Sequence, residues 1–227
     1  MEILKLNNIS KIYGMNNNKL NALKDINLTI NEGELIAIIG ASGSGKSTLL
    51  NIMGTLDNST SGEYMVDGKD INNLNSADLA RLRNKYFGFI VQNFALINDY
   101  TVYENIEIPL EYGKVKSKDR KKIISETLDI LSMKDKMNKT PKQLSGGQCQ
   151  KVAIARALVN DPRIILADEP TGALDRKTGQ DIMEILKKLN RQKGKTIIMV
   201  THNLELATRC DRIIKLQDGK IVEDNCR

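Results

Sequence analysis

The sequence predicts an α/β fold: a buried parallel sheet flanked by helices, with a small antiparallel β lobe at its start and a helical lobe inserted into it. Three observations carry this. Four short, continuously apolar runs, LIAIIG (35–40), FGFIV (87–91), RIILAD (163–168) and TIIMVT (196–201), are separated by helical patterns, as strands buried on both faces are. Near the start, ISKIY and INLTI alternate apolar with polar residues, the pattern of strands with one wet face. Between the second and third apolar runs lie roughly 70 residues without a strong strand, more than a single crossover needs.

Each element follows from local chemistry. EYMVDGK carries the turn pair Asp67-Gly68 and closes the β lobe as a hairpin. The first apolar run leads through a glycine-rich loop into the helix TLLNIM. A helix opening near Ser117 sets Ile124, Leu128 and Leu131 on one face, and a later helical run from Gln150 to Val159 is stopped by Asn160-Asp161-Pro162. A helix with Ile182, Ile185, Leu186 and Leu189 in register joins the third core strand to the fourth, and a last hairpin turns at Asp218-Gly219. The expected organisation is one domain over 1–227, with the β lobe and α/β core in 1–92 and 161–227 and the helical lobe in about 93–160.

Length and composition fit this reading. At 227 residues, 41% hydrophobic and 27% charged, the chain can bury a sizeable core. A formal net charge of +6 is compatible with nucleic acid or an anionic surface, but the basic residues form no dense block with interleaved aromatics, and solvated lysine faces explain the charge equally well. Three scattered cysteines and a single histidine suggest neither a disulfide framework nor a zinc site, so a reducing compartment fits best. The start MEILKLNN lacks a signal-peptide pattern, and no apolar run approaches the ~18–20 residues of a spanning helix.

The chemistry concentrates at strand ends. GASGSGKST, Gly40, Ala41, Ser42, Gly43, Ser44, Gly45, Lys46, Ser47 and Thr48, lies between a strand and a helix and satisfies G-x-x-x-x-G-K-[ST], the pattern of a phosphate-cradling loop. Its glycines turn backbone N–H groups inward, Lys46 reaches the β and γ phosphates, and the Ser47 hydroxyl ligates Mg²⁺. RIILADEP delivers Asp168 and Glu169 to a strand end, where Asp168 suits a hold on Mg²⁺ and Glu169 suits polarising an attacking water. Gln92 and His202 follow two further core strands. Either alone reads as a turn residue; their shared sheet edge points to the site. Tyr13, in SKIYG, offers a face for a base or simply packs. In LSGGQCQK (144–151), Ser145, Gly146 and Gly147 form a helix N-terminus with exposed amides. By itself this is a serine cap on a glycine-relaxed turn; as a phosphate grip it is surplus to the P-loop unless it serves another copy.

Taken in order, GASGSGKST, Gln92, LSGGQ, ILADEP, the GALD of 172–175 and His202 resemble the ATP-binding cassette of ABC transporters. The likeness covers nearly the whole chain. It implies a RecA-like core, and two cassettes stacked head to tail on ATP binding, each ATP lying between one P-loop and the other copy's LSGGQ. Carried over residue by residue, Tyr13 stacks on adenine, Gly40–Thr48 hold the phosphates, and Gln92 senses Mg²⁺ and water. Ser145, Gly146, Gly147 and Gln148 reach the partner's ATP, Asp175 communicates across the interface, Glu169 is the general base, and His202 contacts the γ phosphate. LDNSTSGEY (56–64), VQNFALINDYTVYENIEIPLEY (91–112) and ADEPTGALDRKTG (167–179) look like the lipoprotein-release and macrolide-efflux branch (LolD/MacB-like), which includes antimicrobial-peptide export systems. That implies a separate integral-membrane permease contacting residues around 92–104 and a position on the cytoplasmic face of the membrane. A cassette that signals mechanically without transport, or one acting on nucleic acid, are the alternatives. The second is disfavoured because the chain holds one cassette with no long coiled-coil insert. Val91, Cys149 and Lys151 depart from the usual Phe, Gln or Lys, and Arg; none removes a catalytic group, and Cys149 is expected to be incidental.

Overall fold

Two sheets share one apolar layer in the computed structural model, which describes residues 1–14 and 18–226. The first sheet is antiparallel and contains β1 (Glu2–Tyr13), β2 (Leu20–Asn31), β4 (Ser61–Val66) and β5 (Lys69–Asp70) in the order β2-β1-β4-β5. Val66 pairs with Lys69 across Asp67-Gly68, whose φ angles of 51° and 72° are both left-handed, as the tight hairpin turn requires. The second sheet has six strands in the order β10-β9-β3-β8-β7-β6: β3 (Leu35–Ile39), β6 (Phe87–Ile90), β7 (Ile164–Asp168), β8 (Thr196–Val200), β9 (Arg212–Gln217) and β10 (Lys220–Cys226). The four core strands expected from their apolar runs are all present and mutually parallel.

Alternation along these strands explains why they read as unbroken apolar runs. Ile36, Ile38, Ile164, Leu166, Ile198 and Val200 face the β lobe and α1 (Lys46–Met53), while Leu35, Ala37, Ile165, Ala167, Ile197 and Met199 face the helices on the other side. Both faces are therefore dry. The second face is covered by α3 (Val102–Tyr112), α4 (Ser117–Ile130), α5 (Gly146–Leu158) and α6 (Arg176–Lys193), which share one apolar cluster with the sheet. Among the described residues no helix is long and apolar enough to cross a membrane.

The structure adds three features to the sequence reading. The last hairpin forms across Asp218-Gly219, and its first strand, β9, also pairs in parallel with β3 (Ile36 with Arg212, Ile39 with Lys215). A helix α2 (Ser76–Tyr86) precedes β6, capped by Asn75, whose side chain accepts from the Asp78 amide at 2.9 Å. Helix α3 begins on a reciprocal cap between Thr101 and Glu104 and contains Pro109. The Pro109 carbonyl accepts from Asn84 and from Asn160, each at 3.0 Å, and so ties α2 and the end of α5 to α3.

Candidate functional site

Because β3, β8, β7 and β6 are parallel neighbours, the loops that leave their C-terminal ends line one rim in that order. The loop after β3 is Gly40–Gly45. Gly40 has φ 155°, and a Cβ there would run into the Leu216 carbonyl and lie 2.7 Å from the Ser44 hydroxyl. Gly45 sits at φ 101° and ψ 5° as the cap of α1, a conformation that disfavours any larger residue. Helix α1 has no side-chain cap and no acidic residue in its first turn, so its leading amides and positive dipole end are uncompensated. Ser44 is buried with its hydroxyl unpartnered among the described residues. The Lys46 ammonium donates to the carbonyls of Gly40 at 2.9 Å and Ala41 at 2.8 Å. Ala41, Ser42 and Gly43 form the exposed crown, with Ser47 exposed and Thr48 half-buried on the first turn of α1. A free helix end, an orphaned buried hydroxyl and a folded-back ammonium together suit a polyphosphate.

Asp168 ends β7 opposite Val200 of β8. The Ser47 hydroxyl donates to its carboxylate at 3.5 Å, a long bond. Burial pushes the Asp168 carboxyl above its ordinary range, as does neighbouring Glu169; Ser47 and Lys46 pull it back. A hydroxyl and a half-buried carboxylate at this distance suit a hard cation that completes its shell with phosphate oxygens and water. Among the described residues no group of three His, Cys, Asp or Glu could hold a metal unaided.

Glu169 adopts φ 48°, a strained setting for a non-glycine residue. Its amide donates to the Val200 carbonyl at 3.0 Å, and its carboxylate lies 2.8 Å from Nδ1 of His202. The backbone bond and the ring together aim a half-buried carboxylate along the rim, while His202 itself remains exposed. Gln92 is exposed and lies over Gly172, where an added Cβ would be 2.8 Å from its amide nitrogen. It therefore sits against the turn after Glu169.

The LSGGQ segment is placed elsewhere. Ser145 caps α5, its hydroxyl accepting from the Gln148 amide at 3.3 Å while Gln148 accepts from the Ser145 amide at 3.0 Å. The S-x-x-Q pattern of this capping box is legible in the sequence. Gly146 approaches Leu174, and Gly147 lies so close to α6 that a Cβ would sit 2.5 Å from the Thr178 methyl. Asp175 caps α6, accepting from the Thr178 amide at 3.0 Å and from its hydroxyl at 2.6 Å. Among the described residues no hydrogen bond joins 144–148 to 40–48. Cys149 points into the helical core, its thiol donating to the Pro141 carbonyl at 3.7 Å, and burial pushes the thiol up. The cysteine is thus a small buried residue whose burial disfavours the thiolate.

Two features lay outside the sequence reading. Asp57 and Lys11 grip Tyr13, as described below; Lys11 precedes Tyr13 by two residues and so shares its face of β1. An apolar groove of about 810 Å³ opens between α2, β6 and α3, floored by Phe87, Phe89, Ile108 and Pro109. Arg81, Arg83, Lys85, Lys114 and Arg156 line it, and no carboxylate does. Arg156 of α5 also donates to the carbonyls of Ala95 at 2.5 Å and Phe94 at 2.8 Å, both in left-handed conformation, and so clamps the turn that follows Gln92.

Residues 23–172 match the ABC transporter family. The macrolide export ATP-binding/permease protein MacB of Bartonella henselae is 50% identical over 223 residues, 98% of this chain and 34% of that protein. The ABC transporter ATP-binding protein YvrO of Bacillus subtilis is 50% identical over 222 residues, 98% of this chain and 96% of that protein. The chain thus spans about a third of the length of its MacB relatives. The dimeric post-hydrolysis structure of the ATP-binding cassette MJ0796, bound to ADP and Pi, matches with a TM-score of 0.90 at 46% identity, over 99% of this chain and 98% of that one. With the P-loop, the Asp168-Glu169 strand end and the capped LSGGQ helix in place, this chain belongs to the ABC transporter family, as an ATP-binding and ATP-hydrolysing cassette.

Proposed function

We propose that the chain powers a separate integral-membrane permease from the cytoplasmic face of the membrane, two copies closing on ATP. The observation that carries this reading is the split between a rim holding P-loop, Asp168, Glu169 and His202, and an LSGGQ helix end with no hydrogen bond to it among the described residues. Each copy then supplies half of a site. The amides of α1 and Lys46 bind the phosphates, Tyr13 receives the adenine, and the second copy's Ser145, Gly146, Gly147 and Gln148 cover the γ phosphate. Glu169, aligned by His202, accepts a proton from the attacking water. Ser47, Gln92 and Asp168 would hold Mg²⁺, which when bound neutralises phosphate charge. Asp175, at the head of α6 beside Gly147, lies where the two copies would meet.

The MacB relatives name macrolide export, and on that likeness the cargo is an antibiotic, peptide or lipid-linked molecule. The partner surface is the cationic groove, which touches the expected 92–104 region only at Ala95. Its apolar floor and carboxylate-free rim suit a short amphipathic permease helix bearing carboxylates. Photo-crosslinkers at Tyr112 or Ala80, two lining residues, are expected to capture an integral-membrane protein in native membranes; capture only from Ile97–Tyr100 would move the surface. The function itself is tested with the purified chain and MgATP. Phosphate release per chain should rise with protein concentration, because a monomer holds half-sites; a rate per chain independent of concentration would refute the shared site.

A further inference from the structure

Tyr13 ends β1 at the edge of the β lobe and is about two-fifths exposed. A tyrosine so placed would ordinarily rotate freely, but two groups hold this one. Its hydroxyl donates to Asp57 Oδ2 at 2.6 Å. The Lys11 ammonium lies 4.7 Å from the centre of its ring and donates to Asp57 Oδ1 at 2.6 Å and to the Asn58 carbonyl at 2.7 Å. Asp57 is itself fixed, accepting from the Asn58 amide at 2.7 Å and following α1 through a turn in which its amide donates to the Asn51 carbonyl at 3.3 Å.

The charges agree with this geometry. Burial works against the Asp57 carboxylate, but hydrogen bonds from Lys11 and Tyr13 outweigh it and hold the carboxyl below its ordinary range. Burial and the same carboxylate push the Tyr13 phenol up, so the ring stays a neutral donor. Both ends of the cluster belong to elements that matter for ATP. Lys11 and Tyr13 lie on β1, and Asp57 hangs from the C-terminal end of the helix whose N-terminus faces the phosphates.

We propose that Lys11 and Asp57 are positioning residues that make Tyr13 a one-faced platform for the nucleobase, set at a fixed distance from the P-loop. Lys11 occupies one face by cation–π contact, leaving the other for a stacked adenine. Asp57 sets the tilt of the ring and locks β1 to α1, so base and phosphates are read by one rigid unit. The proposal rests on ATP being the ligand of the P-loop, and it extends that reading to two residues that touch neither base nor phosphate.

A rigid platform strengthens binding of the base without altering the phosphate grip. Pre-ordering one side chain corresponds to a factor of about 3–10 in affinity. The test compares MgATP with inorganic tripolyphosphate as titrants of the full chain, by calorimetry, for wild type, Asp57→Ala, Asp57→Asn and Lys11→Met. Asp57→Ala and Lys11→Met are expected to raise the Kd for ATP about 3–10-fold and to leave that for tripolyphosphate unchanged. Asp57→Asn, which still accepts the Tyr13 hydroxyl, should recover most of the loss. In hydrolysis the defect should appear in KM far more than in kcat. ATP affinity equal to wild type in both Asp57→Ala and Lys11→Met would overturn the proposal, and so would an equal loss for ATP and tripolyphosphate, which marks a damaged P-loop helix. If wild type binds neither titrant, the ATP reading falls and takes the platform with it.

Discussion

Glu169→Gln is expected to slow MgATP hydrolysis by a factor of about 10²–10⁴ and to make ATP-bound dimers accumulate. The geometry isolates the chemical step. Glu169 holds a left-handed φ of 48° immediately before Pro170, a setting kept by the bond of its amide to the Val200 carbonyl and independent of the side-chain charge. Glutamine has the same shape and can still meet His202, so the substitution removes proton acceptance and little else. A dimer that closes on ATP should then fail to reopen. Light scattering after gel filtration would give twice the monomer mass with MgATP and the monomer mass without it. Turnover equal to wild type would take the base role away from Glu169, and loss of turnover without a stable dimer would mean that the side chain builds the closed state rather than taking the proton of the attacking water.

The same residue shows why part of the site was legible and part was not. Strand β7 is buried on both faces, so its five residues Ile164–Asp168 read as an apolar run ending in a carboxylate, and the rim position followed from sequence alone. The partnership with His202, 33 residues away, depends on β7 lying beside β8, which no local pattern records. Turns at Asp67-Gly68 and Asp218-Gly219 were legible because only left-handed-tolerant residues close two-residue hairpins. Yet the parallel pairing of β9 with β3 is a choice among strand edges made by the whole chain. Helix α2 leaves no apolar stripe in the sequence, because its one buried residue is Tyr86, and in α3 Pro109 reads as a breaker. The grip of Asp57 on Tyr13 spans 44 residues and joins the β lobe to the segment after α1, so it is visible only in three dimensions.

Ser145→Arg tests whether the LSGGQ helix end is an active-site surface or only a cap. In the isolated chain Ser145 does one measurable thing: its hydroxyl accepts from the Gln148 amide and closes the capping box of α5. Losing that bond costs about 0.5–2 kcal/mol, which for a chain of this size lowers Tm by only a few degrees, about 2–4 °C per kcal/mol. Ser145→Ala should show that shift and retain hydrolysis within about tenfold, because the glycine amides that would face a partner's phosphate remain. Ser145→Arg should show a similar shift in Tm with hydrolysis lost, because a guanidinium at an exposed helix end fills the space that the second copy's nucleotide needs. Differential scanning calorimetry and phosphate release on the same samples separate the two. Should the arginine variant keep the activity of the alanine variant, this helix end faces solvent throughout the cycle and the two-copy site is wrong. Activity falling in step with Tm in both variants would reduce Ser145 to its cap. The expected split, equal stability and unequal turnover, can arise only if the surface is completed by something absent from the single chain.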